Sequence, residues 1–352
     1  MPRTFASLSD VIQHSFDTVI DVRSPAEFAE DHVPGAINLP ALSNVQRAEI
    51  GTIYVQDSPF RARKLGAAMV ARNVAAHLEG PLADKPGGWQ PLVYCWRGGQ
   101  RSGSFASILQ QIGWRAETIS GGYQCYRKLV VQMLYDAPLP HQRIILLDGN
   151  TGTGKTEVLA ELAALGVQTI DLEQLAHHRG SLLGEMDRAQ PSQKGFESTL
   201  AFALDAMDPA QPVVIEAESS KIGRLNIPKS LWLAMIAAPR IMLRADEMTR
   251  ATYLAGTYCG LAADRDTMQD RLTPLRRIRG HAAVDSWEAL LAEKDLTGFA
   301  HAMIAEHYDP AYAKSRGAQT FTLLGEISVV SLDEAGIASA ACAIVDLINR
   351  AS

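Results

Sequence analysis

The sequence predicts an α/β protein made of two consecutive domains, each a parallel sheet covered by helices. Short β-branched runs alternate with helical stretches over the first 135 residues, and the alternation resumes after a Pro-containing stretch, YDAPLPH at 135–141. The length of 352 residues and a hydrophobic content of 47% supply more core than one small module needs.

Taken in order, DTVIDVR, GAINLP, PLVYCW and AETISGG read as strands, and RSGSFASILQQIG reads as an amphipathic helix. A fresh strand, RIILLDG, begins at Arg143, which sets expected domains at 1–138 and 139–352. In the second, KTEVLAELAALG reads as a helix and VQTIDLE, PVVIEAES and LWLAMIAA as strands. Residues 262–315 read as helical and polar, FTLLGEISVVSL as a strand or turn, and EAGIASAACAIVDLINR as a closing helix.

No apolar run is long enough to span a bilayer, and MPRTFASLSD lacks the core of a secretory signal. The expected location is the cytoplasm, without membrane association, and the expected state is a monomer. Cys95, Cys125, Cys259 and Cys342 are too widely spaced for a zinc cluster or a disulfide framework. The net charge of −6 argues against binding nucleic acid by overall field. Residues 1–138 hold 13 basic and 12 acidic side chains, leaving 20 against 27 for the rest, so any such contact must be a local patch.

Cys95 stands in VYCWRGGQRSGSFA, where an apolar strand enters a glycine-containing loop and the loop enters a helix. Backbone N–H groups wrapped around the sulfur, together with a helix N-terminus, stabilise a thiolate. A buried core cysteine has no use for two glycines and two arginines beside it. DVRSPAEF at 21–28, HVPGAINLP at 32–40, the cysteine loop and GGYQCYR at 121–127 together resemble the landmarks of rhodanese domains. That resemblance implies that Asp21 and Arg23 tie the loop region together, that Glu27 and His32 cap neighbouring turns, and that the cysteine carries a chalcogen atom. Five residues separate Cys95 from Arg101, one more than in ordinary sulfurtransferases. The same spacing cradles phosphate in cysteine-dependent phosphatases, so Trp96, Arg97, Gly98, Gly99, Gln100, Arg101 and Ser102 are expected to hold a phosphate-shaped donor such as selenophosphate.

GNTGTGKT follows the strand RIILLD and precedes a helical run, the context in which G-x-x-x-x-G-K-[ST] binds phosphates. Gly149, Asn150, Thr151, Gly152, Thr153, Gly154 and Lys155 are expected to cradle a di- or triphosphate, with Thr156 as the Mg²⁺ ligand. Asp171, Glu216 and Glu218 end strands where a catalytic acid or Mg²⁺ ligand would stand. Each reads equally as a solvated strand-end acid.

The order of the two modules, with ESSKIGRLNIP at 218–228, resembles the bacterial tRNA 2-selenouridine synthases over nearly the whole chain. The fold this implies is a rhodanese-like parallel-sheet domain followed by a P-loop NTPase-like α/β domain with a helical C-terminal region. The implied activity converts wobble 2-thiouridine in tRNA to 2-selenouridine. Geranyl diphosphate first alkylates the sulfur, and selenophosphate then replaces the geranylthio group. Use of ATP or GTP is left open by the motif.

For the tRNA, Arg271, Arg276, Arg277 and Arg279 form the clearest basic stretch, with no acid between Asp270 and Asp285. A helix face balanced by neighbouring acids is the competing reading. Lys221 and Arg224 are further candidates, and Trp96 is expected in an exposed loop. Two rival functions remain at this point: a Cys-x5-Arg phosphatase joined to a small-molecule kinase, and a docking module attached to a nucleotide switch.

Overall fold

The computed structural model describes residues 2–136, 143–180, 183, 184, 186, 188–259, 265–317 and 320–351. The expected domain boundary at 138/139 falls outside them. The chain forms two compact units, Met1–Ala137 with Pro191–Ala206, and Pro138–Gln190 with Met207–Ser352.

In the first unit β1 (Thr18–Asp21), β2 (Ile37–Asn38), β3 (Pro91–Tyr94) and β4 (Glu117–Thr118) form a parallel sheet in the order β2-β1-β3-β4. Three of the four residues of β1 and all four of β3 are buried, as expected of strands covered on both faces. Ile20, Val22, Val93, Phe105 and Leu109 share one core with Val70 and Val74 of the helix Pro59–Glu79. Asp21 pairs with Tyr94 in register, which brings the loops after β1 and β3 together at the carboxyl ends of the strands.

The helix Gln193–Asp205 belongs to this unit although it lies between strands of the other. Ser198 Oγ donates to the buried Asp31 carboxylate at 2.9 Å, Arg127 pairs with Glu197, and Phe202 stacks on Tyr126.

In the second unit β5 (Ile144–Gly149), β6 (Gln168–Ile170) and β7 (Val213–Glu216) precede a short antiparallel hairpin, β8 (Lys221–Ile222) and β9 (Leu225–Asn226). With β10 (Arg240–Arg244) and β11 (Leu323–Ser328) the sheet runs β11-β10-β5-β7-β6, all parallel. The glycine-rich loop therefore leaves the central strand, beside the ends of β7 and β10. The closing helix Glu334–Ala351 packs Ile337, Ala341 and Ile344 onto the core beneath β5 and the helix Lys155–Ala164. Helices between residues 265 and 317 build a separate core around Trp287 and Phe299.

One expected strand is corrected. LWLAMIAA lies in the helix Lys229–Ala237, and the strand is the next segment, RIMLR at β10. Pro228 occupies the N-cap, and Ala238, which precedes Pro239, is extended. These two prolines bracket a run rich in good helix formers, Leu, Ala and Met.

Candidate active sites

In the first unit the cysteine loop ends in the helix Gln100–Ile112, whose first turn carries Arg101 and Ser102. Cys95 Sγ lies 3.2 Å from Ser102 Oγ, which also lies 3.2 Å from the Gly99 carbonyl. Burial opposes ionisation of the Cys95 thiol, which is only 3% exposed. The Ser102 hydroxyl, the Ser102 and Gly99 amides and the Arg101 charge outweigh that burial and hold the thiol below its ordinary value.

The loop is shaped from behind by GGYQCYR. Tyr123 N–H donates to the Cys95 carbonyl at 2.9 Å and Gln124 N–H to the Trp96 carbonyl at 3.1 Å. So close an approach needs glycine on both sides. Gly98 has φ +67, and a Cβ there would meet the Ile119 carbonyl at 2.6 Å; a Cβ on Gly122, at φ +57, would strike the Cys95 carbonyl.

Arg101 pairs with Glu27 at 2.9 Å, while Arg97 is exposed and donates to Gln124. Gln100 and Gly99 are exposed as well. Arg23 forms a buried pair with Asp21 at 2.6 Å and stacks over Tyr123, so both serve the scaffold. Trp96 lies in this partly exposed loop but is itself half-buried, its ring 5.2 Å from Tyr123.

In the second unit the glycine-rich loop enters the helix Lys155–Ala164 through Gly154 at φ +76. Gly152, at φ +82, sits against Leu254. Lys155 Nζ donates to the Gly149 carbonyl at 2.9 Å, and Thr156 is exposed in the first helical turn. Arg250 donates to the Thr151 carbonyl and holds Asp309 at 2.7 Å. A cavity of about 940 Å³ opens over this loop. Gly152 through Thr156 line one side, and Trp232, Met235, Ile236, Leu254 and Tyr308 form apolar walls.

Of the strand-end acids, Asp171 caps the helix Leu172–Ala176 by accepting from Gln174 N–H at 2.7 Å. Glu216 is fully buried, accepts from the Glu173 amide at 2.6 Å, and leaves Oε2 without a protein partner. Burial and then the Glu173 charge push Glu216 well above the usual carboxylate range. Burial also raises Glu218. Glu173, read as the end of the strand VQTIDLE and not singled out, lies in the helix Leu172–Ala176 and is pushed up to about 8 by burial and then by Glu218. Burial disfavours the Lys155 charge, but Tyr312 and the three glutamates outweigh it and raise the ammonium. Among the described residues no three His, Cys, Asp or Glu side chains are grouped to hold a metal by themselves.

Sequence reasoning also missed Arg316 and Tyr312, from the helix Asp309–Gly317. Arg316 reaches Asp148 at 2.7 Å and Asn150 Oδ1 at 2.6 Å. Tyr312 lies between cations, 5.1 Å from the Arg316 guanidinium and 6.0 Å from Lys155 Nζ. These residues stand some 160 positions from the loop they touch, and no local pattern marks them.

Part of the basic stretch is paired within the unit, as the competing reading of a helix face balanced by acids has it. Arg276 is neutralised by Asp285 and Glu288 at 2.9 Å, and Arg279 donates to the His307 carbonyl at 2.8 Å. Arg271 is half-buried, and Arg277 alone of the four is exposed. In the β8–β9 hairpin Lys221 is exposed, whereas Arg224 donates to the Gln190 carbonyl at 2.6 Å.

Residues 4–129 match the rhodanese-like domain family, and residues 142–273 match the family described as the tRNA 2-selenouridine synthase AAA domain. The chain is 32% identical over 332 residues to the tRNA 2-selenouridine synthase of Pseudomonas syringae pv. syringae (strain B728a), covering 85% of this chain and 88% of that one. It is 32% identical over 348 residues to the enzyme of that name from Alcanivorax borkumensis, covering 89% and 94%, and 33% identical over 331 residues to that of Cupriavidus necator, covering 85% and 88%. With both domains matched in order and relatives aligned over most of their length, the chain belongs to the tRNA 2-selenouridine synthase family.

Proposed function

We propose that this enzyme exchanges the sulfur of a wobble 2-thiouridine in tRNA for selenium in two steps, one in each unit. In the first, the thiouridine sulfur attacks the C1 carbon of geranyl diphosphate. A C–S bond forms, the C–O bond breaks, pyrophosphate leaves and the uridine N3 proton is released. In the second, selenium supplied by selenophosphate bonds to C2 and the geranylthio group departs.

The observation that carries this reading is the amphipathic cavity. A geranyl chain needs apolar surface beyond the diphosphate, and the cavity offers it beside polar side chains such as Gln174, Arg179 and Ser219. Trp232, Met235, Ile236 and Leu254 provide such surface beside Lys155. The P-loop amides and Lys155 neutralise the leaving pyrophosphate, which lowers the barrier to departure. Mg²⁺ belongs to the same reading: the Thr156 hydroxyl and the Glu218 carboxylate, which both line the cavity, are hard oxygen donors suited to it. When bound, it would neutralise charge on the departing phosphates. ATP and GTP have no part in either step.

Selenophosphate falls to the cysteine loop, whose glycines and helix N-terminus suit a small tetrahedral anion. For the tRNA, exposed Arg277 and Lys221 remain as contacts. In this reading the protein acts in the cytoplasm as a monomer; among the described residues no helix is long and apolar enough to cross a membrane.

Nucleoside mass spectrometry tests the scheme. Thiolated tRNA with geranyl diphosphate alone is expected to yield the geranylthio nucleoside, and selenophosphate is then expected to convert it to the seleno form. Selenouridine formed at full yield without geranyl diphosphate would overturn the first step.

A further inference from the structure

We propose that Cys95 takes the phosphoryl group of selenophosphate rather than its selenium, forming a phosphocysteine and freeing hydroselenide beside the modified base. This inference rests on the reading of selenophosphate as donor, and it assigns that donor's bond cleavage to named atoms.

Electron bookkeeping separates the two ways in which a thiolate can use selenophosphate. Attack on selenium would make an S–Se bond and expel a reduced phosphorus species, or else require an external oxidant. Attack on phosphorus needs neither. The Cys95 Sγ–P bond forms, the P–Se bond breaks with its electron pair on selenium, and both elements keep their oxidation states. Hydroselenide then attacks C2 of the geranylated uridine, and the geranylthiolate leaves and takes up a proton. Water finally attacks phosphorus, releasing phosphate and restoring the thiolate.

The loop has the parts for phosphoryl transfer. Five residues between Cys95 and Arg101 give it the spacing of cysteine-dependent phosphatases. Gly98 at φ +67 and Gly99 at the helix N-cap leave its backbone free of side chains. Ser102 Oγ, 3.2 Å from Sγ, can donate to the sulfur when it leaves as thiolate during hydrolysis. Arg101 is held by Glu27 at 2.9 Å, so its guanidinium is fixed at the first turn of the same helix. A phosphate ester also needs an acid to protonate its alcohol. Hydroselenide is the conjugate base of a far stronger acid, so it leaves without one.

Thiophosphate gives a clean probe with the full chain, because phosphoryl and sulfur adducts differ in mass. Intact-protein mass spectrometry after acid-free quenching is expected to show a phosphoryl adduct on Cys95, absent in Cys95→Ser. The Ser102→Ala variant is expected to accumulate it, since its breakdown loses the hydroxyl that supports the departing thiolate. Phosphorus NMR with selenophosphate is expected to show the same S-phosphocysteine. A sulfur or selenium adduct on Cys95 in place of the phosphoryl adduct overturns the proposal. So does selenouridine synthesis at full rate with no phosphoryl adduct in either wild type or Ser102→Ala; the two-step reading survives that result. A phosphoryl adduct without any selenouridine would instead sink the two-step reading and leave the phosphocysteine standing.

Discussion

Gly122 shows how tightly the chemistry depends on single residues. Its backbone runs against the Cys95 carbonyl in the left-handed region, so any side chain there both strains the backbone and displaces the cysteine loop. Gly122→Ala is expected to lower stability by about 2 kcal/mol or more and to abolish selenium incorporation, read by urea unfolding and nucleoside analysis. At the other site the informative residue is Arg316. Asp148 carries one negative charge and is already met by buried Arg240 at 3.0 Å, so Arg316 brings a surplus cation to the edge of the cavity. Arg316→Gln is expected to weaken pyrophosphate binding by about tenfold, and Arg316→Lys to recover part of it. The fluorescence of Trp232, on the cavity wall, offers a readout.

Among the elements, the helix Gln193–Asp205 is held to the first unit by a nearly buried pair, Arg127 with Glu197. Arg127→Met would leave the Glu197 carboxylate buried without its cation, at an expected cost of about 3 kcal/mol, measurable by denaturant unfolding. The sequence carried no sign of this attachment: the helix sits between β6 and β7 in the chain, and only long-range partners such as Asp31 and Tyr126 reveal where it packs. The central strands β1, β3, β5 and β7 were legible because each is a short buried run set off by turn residues. LWLAMIAA was misread for the same reason, since an all-apolar run has no period to separate strand from helix. Around β7 the acids set a pH dependence. Glu173 keeps its proton up to about 8 in the folded unit, whereas the unfolded chain loses it near 4.5. The stability this contributes is complete below pH 4.5 and is lost as pH rises through about 8. Thermal unfolding of the full chain is therefore expected to shift downward across that window, and Glu173→Gln to flatten the shift.

For the whole molecule, the two glycine-containing loops were readable because each is a contiguous motif at a strand-to-helix turn, where glycine spacing guides backbone shape. What they act on together was not readable from either. If the alkylating step belongs to the P-loop cavity and the selenium step to the cysteine loop, variants that disable one loop should stop the reaction at different nucleosides. Lys155→Ala removes the ammonium that faces the leaving pyrophosphate, so tRNA should remain as the 2-thio form. Cys95→Ser leaves that cavity intact, so with both donors present the geranylthio nucleoside should accumulate. Mixing the two variants extends the test, because tRNA released by Cys95→Ser is then the substrate that Lys155→Ala can finish. Recovery of selenouridine in the mixture would show that the intermediate passes through solution, and its absence, with each variant active in its own half-reaction, would show that one chain must keep hold of the tRNA between steps.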